Sequence, residues 1–168
     1  TEGMGMMRGQ LRWSLVLMLL LIDSVAFAVV TRPQATAVFT STAPAIDGRL
    51  EEEIWGIAPW QGGFVERKPT LRATPEDATR FRVLFDAEAL YIGVELKDGQ
   101  PEAIRSNVRN RDDMSIFRDD ALSVKLDTAN DRRTTLGFVL NPAGGRVDYR
   151  GIDESEFRPE FDAVWTGA

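Results

Sequence analysis

The side chains best suited to chemistry in this sequence are its carboxylates. Asp98, Asp112, Asp113, Asp119 and Asp120 fall within one turn-rich stretch. Several hard oxygen donors on a flexible loop are what calcium requires, so these five form a candidate metal set. Their spacing is not that of an EF-hand loop, and a solvated acidic loop accounts equally for the same run. Carboxylates also carry out glycoside hydrolysis when two of them flank a glycosidic bond in different environments. Asp and Glu together number 26 here, so some pair always exists. Nothing in the pattern selects one, and no catalytic residue is assigned. The chain has no Cys and no His. Thiol nucleophiles, imidazole bases, and zinc sites built on Cys or His are therefore excluded. The residues point to a module that is not by itself an enzyme.

Composition narrows the partners. The 168 residues are 43% hydrophobic and 27% charged, which is ordinary globular material sufficient for one core. Without cysteine, that core must hold the fold with no disulfide. Arg8 and Arg12 cancel Glu2 and Asp23, so the body beyond residue 28 keeps the full net charge of -6. An acidic body disfavours nucleic acid and anionic membrane as partners. It is compatible with calcium and with neutral sugars.

The first 28 residues read as a secretory signal peptide with a few residues upstream of it. Arg8 and Arg12 supply the basic start, and Trp13–Ile22 is a short apolar run broken only by Ser14. Ala26-Phe27-Ala28 gives the small-x-small pattern of a cleavage site. The apolar run is shorter than the ~20 residues needed to span a bilayer. Export to the periplasm, the outer membrane or the outside of the cell is the expectation. A linker over 29–43, holding one strand candidate at Ala37–Thr40, leads into the module at 44–168.

The elements that must position any site are short strands. In Thr79–Phe85, Phe81, Val83 and Phe85 alternate with Arg80, Arg82 and Leu84. In Ala89–Leu96, Leu90, Ile92, Val94 and Leu96 share one face. This period of two predicts half-buried strands, joined antiparallel through Asp86-Ala87-Glu88. Further strands are expected at Gly62–Glu66, Ala121–Asp127, Thr134–Leu140, Arg146–Tyr149 and Phe161–Trp165, with a sharp turn at 141–145. Leu50–Ala58 predicts one helical turn capping the sheets, with Trp55 as its plug, and Pro101–Arg105 a second short turn. Trp60 reads as core, and Arg80 and Arg82 as a solvated face. The sum is an all-β protein, an antiparallel sandwich of the jelly-roll or immunoglobulin-like kind behind a signal-peptide helix.

Several of these segments are similar to those of family 9 carbohydrate-binding modules. They are Ile46-Asp47-Gly48 with Glu53-Ile54-Trp55, Phe81–Asp86 with Ala89–Gly93, Asp119–Asp127, and Asp131–Thr134 with Phe138–Gly144. The last stretch resembles a branch in which the module precedes a large outer-membrane-type β-barrel. The resemblance implies a polysaccharide or oligosaccharide ligand, structural calcium, and a downstream barrel or glycoside hydrolase in the same polypeptide. It implies that Phe117 stands where the family has its first stacking aromatic, with a second expected beyond Ala168. Asn141 matches a position that hydrogen-bonds the sugar. Ser123 and Val139 depart from the carboxylate and arginine of sugar-binding members. The family's closing strands are missing, so the domain is expected to be truncated at its C-terminus. Phe117 as a loop anchor and Asn141 as a turn-former before Pro142 remain open alternatives, as does a docking role in place of sugar binding.

Overall fold

The computed structural model describes residues 33–153 and 156–168. The leader expected over residues 1–28 lies outside them. The fold is all-β and two-layered, as the alternation predicts. One sheet has the order β1-β2-β3, with β1 at Ala37–Phe39, β2 at Thr79–Phe85 and β3 at Leu90–Leu96. The other has the order β4-β5-β6-β7, with β4 at Leu122–Leu126, β5 at Thr134–Leu140, β6 at Arg146–Ile152 and β7 at Glu156–Arg158. All ladders are antiparallel except β1–β2, which is parallel, with Val38 beside Leu84. β1 therefore brings part of the expected linker into the sandwich. Among the described residues, no helix is long and apolar enough to cross a membrane.

Local chemistry closes the turns. The Asp86 carboxylate accepts the backbone N–H groups of Glu88 and Ala89 at 2.8 Å each, which fixes the β2–β3 connection. It also accepts the Tyr91 hydroxyl at 2.8 Å. At the β4–β5 tip, Asp127 accepts from Asp131 and Arg132, and Asp131 in turn accepts the N–H of Thr134. These are short-range carboxylate-to-backbone bonds of the kind that favour Asp in turns.

Burial departs from the simplest reading of the alternation. On the first sheet the fully buried residue is Leu84, not its neighbours Phe81, Val83 or Phe85. The cause is the 3-10 turn Glu53–Ile57, which covers the Leu84 face with Trp55 as its plug, 2% exposed. Gly93 makes room for it: a Cβ there would lie 2.7 Å from Leu50 and 3.0 Å from Trp55. Arg82, on the same face, is half-buried and donates to the Trp55 carbonyl at 2.6 Å, while Arg80 pairs with Glu95. Both guanidinium groups lie 4.0 Å from the centre of the Trp60 ring. Arg82 is half-buried and departs from the solvated face expected, whereas Arg80 stays exposed in keeping with it, and Trp60 is half-buried against both. On the second sheet, the 3-10 turn Met114–Arg118 covers Val139 and Val147 through Ile116. Between the sheets, Leu90, Ile92 and Val94 face Leu122, Val124 and Phe138 across a cavity of about 510 Å³.

Two expected strands do not form ladders. At 62–66 no strand forms: the bridge of Gln61 to Phe81 lies just before it, and Gly63 turns the chain at a φ of +85°. Phe161–Trp165 alternates in burial, but the Ala163 N–H goes to the Asp148 carboxylate at 2.6 Å and not to a neighbouring strand.

Candidate functional site

The loop carrying Phe117 is held by one carboxylate. Asp119 accepts the backbone N–H groups of Asn107 and Val108 at 2.8 Å each, and the side-chain amide of Asn141 at 2.9 Å. The N–H of Val108, followed by the Asn141 and Asn107 donors, holds the Asp119 carboxyl below the usual carboxylate range. Asn141 is the other half of the clamp. Its amide nitrogen donates to the Val108 carbonyl and to Asp119, and its amide oxygen accepts the N–H groups of Ala143 and Gly145. An amide has two donor and two acceptor positions, so all four are used within the protein. At 3% exposure, Asn141 closes the 141–145 turn and steadies the Phe117 loop. It offers no free group to a sugar hydroxyl.

Phe117 itself is presented to solvent at 52% exposure, by a 3-10 turn whose first residue is capped. The Asp113 carboxylate accepts both the hydroxyl and the N–H of Ser115, and these bonds lower its pKa. Two further rings join Phe117. Tyr149 lies 6.4 Å away and Phe157 6.3 Å away, both edge-on, and Tyr149 and Phe157 are 4.5 Å apart. Phe157 is 43% exposed and Tyr149 only 6%. Cross-strand register explains the grouping: Tyr149 is paired with Gly137, and Gly137 with Lys125. A Cβ on Gly137 would come within 2.1 Å of the Tyr149 Cζ. The outer end of the phenol ring therefore lies over Gly137 of β5. The result is an exposed aromatic surface with polar groups at its margin. Such a surface stacks against the C–H face of a sugar, while nearby donors meet its hydroxyls. The rings touch edge to edge and leave no slot between them.

The five carboxylates of the candidate calcium set do not converge. Asp119 and Asp113 are the clamp and the cap just described. Asp112 pairs with Arg111 at 3.3 Å. Asp98 and Asp120 share a different cleft with Glu76 and Asp77, where Asp120 accepts the Arg105 N–H and Asp98 that of Gln100. Among the described residues, no group of three or more acidic side chains is placed to hold a metal ion. The donor set does not fit one calcium ion, because its oxygens are separated and largely spent on backbone N–H groups. Ser123 and Val139 are cross-strand partners, and Val139 is 1% exposed beneath Ile116.

The sequence singled out Phe117 but not Tyr149 or Phe157, which the fold packs against it. A family model described as carbohydrate family 9 binding domain-like matches residues 46–139. The match includes Phe117 and Lys125 and ends before Tyr149 and Phe157. No curated protein and no solved structure matches the chain.

Proposed function

The chain belongs to the carbohydrate family 9 binding domain-like family, and on that premise we propose that it is a non-catalytic glycan-binding module whose platform is formed by Phe117 and Phe157. One observation carries the reading: these two rings are half-exposed and packed on Tyr149. A polysaccharide or oligosaccharide stacks on the rings, and the Tyr149 hydroxyl meets it from the sheet. Asn141 and Asp119 act through the loop that bears Phe117. The basic, apolar and small-residue pattern of the first 28 residues supports export. The module then serves polysaccharide breakdown by holding a larger exported protein at its substrate. Titration of the chain with cello- and xylo-oligosaccharides tests this. Saturable binding that is weakened by Phe117→Ala and by Phe157→Ala is expected. Binding indifferent to both, or no binding by protein shown to be folded, counts against it.

A second reading is favoured by a different observation. The facing strand surfaces of Leu90, Ile92 and Val94 and of Leu122, Val124 and Phe138 are only partly buried. In this reading the module docks against a further domain of the same polypeptide, such as an envelope β-barrel. Binding of that domain with no binding of any glycan would select it.

A further inference from the structure

We infer that the aromatic platform takes a glycan bearing isolated uronate units, with Lys125 as the residue that reads the carboxylate; this rests on the glycan-binding reading above. The argument starts from register. Alternation and pairing place Ser123, Lys125, Thr135, Gly137, Val139, Val147, Tyr149, Gly151 and Phe157 on one face of the second sheet. Lys125 is the one charged residue among them. It lies in the same cross-strand row as Tyr149, two strands and so roughly 10 Å away. Gly137 stands between them with no side chain of its own. The phenol ring fills that space.

Lys125 is exposed, and no carboxylate among the described residues lies within ion-pair distance of it. The acids at the adjoining hairpin tip are committed elsewhere. Asp127 accepts the N–H groups of Asp131 and Arg132, Asp131 accepts those of Arg133 and Thr134, and Asp153 holds Arg133 through two bonds. An unpaired ammonium on a four-carbon stem, on the same sheet face as the rings, two strands from Tyr149 and three from Phe157, is a receptor for an anion carried on a unit of the glycan next to the one that stacks. The net charge of -6 repels a long polyanion. A mostly neutral chain with an occasional uronate meets both conditions: a sugar face stacks on the exposed face of Phe117 or of Phe157, and the carboxylate of a neighbouring unit reaches Lys125.

The test is titration of the chain with a xylo-oligosaccharide bearing one glucuronate and with the undecorated oligosaccharide of equal length. The decorated ligand should bind about two- to fivefold more tightly at low salt, as expected for one ion pair at an exposed site. Added salt should shrink the difference. Lys125→Gln should abolish the difference, and Lys125→Arg should retain it. Equal affinity for the two ligands, or a preference that survives Lys125→Gln, overturns the inference and leaves the glycan-binding reading standing. Failure of folded protein to bind either ligand overturns both.

Discussion

Replacing Gly137 with alanine should destabilise the protein through one side chain, Tyr149. The added Cβ would lie 2.1 Å from Cζ and 2.3 and 2.7 Å from the two Cε atoms of the ring. Carbon atoms rest at about 3.5–4.0 Å, so the ring must retreat by roughly 1.5 Å or swing off the strand. Either movement disturbs its packing on Phe157 at 4.5 Å and on Phe117 at 6.4 Å. Overpacking of this kind costs about 1–3 kcal/mol. Urea unfolding measures it as a lowered midpoint with an unchanged slope. The decisive comparison is the same substitution made in a Tyr149→Ala background. Gly137 does not have a positive φ, so without the ring an alanine there should be neutral or stabilising by about 0.4–1 kcal/mol. The cycle isolates the coupling between the two positions. Equal destabilisation in both backgrounds would refute the placement of the ring across β5, and with it the geometry of the proposed platform.

Three further outcomes follow from the same structure. Trp55→Ala should cost about 3–5 kcal/mol in chemical unfolding, because the indole fills the space over Gly93 and packs with the fully buried Leu84. Asp148→Ala should release residues 161–168 from the sheet, since that wholly buried carboxylate accepts Arg111 at 3.0 Å, the Trp165 indole at 2.9 Å and the Ala163 N–H at 2.6 Å. The expected loss is about 1.5–3 kcal/mol with a red-shifted Trp165 emission, and an unchanged spectrum would argue against the latch. Acidification should loosen the Phe117 loop. The folded pKa of Asp119 is depressed below its unfolded value, so its contribution is complete above about pH 4 and is lost as pH falls through the folded value. Amide exchange at Asn107 and Val108 should rise over that window, and Asp119→Asn should remove the pH dependence.

Much of the fold was legible because its signals are local. The alternation in Thr79–Phe85 and Leu90–Leu96 defines strands of period two, and Asp86 followed by two residues defines their turn. The plug role of Trp55 was legible too, from an isolated helical turn with a large aromatic at its centre. The site was legible only in part. Phe117 was an expectation from the family resemblance, and the fold shows it exposed and joined by Tyr149 and Phe157. Asn141 was matched to the right neighbourhood, but its amide is spent on the turn it closes.

What the sequence determined by itself was the set of residues that share each strand face, the turns between strands, and the absence of thiol and imidazole chemistry. These depend on spacing along the chain or on composition alone. Tertiary structure decided which face each 3-10 turn covers, so Leu84 and Val139 are buried while Val83 and Val124 are only half-buried. It also decided that Phe117, Tyr149 and Phe157 meet, and that Lys125 shares a row with Tyr149. The physical reason is that alternation sorts side chains into two faces without ranking them. The ranking comes from cross-strand register and from segments distant in sequence that cover one face and leave the other open.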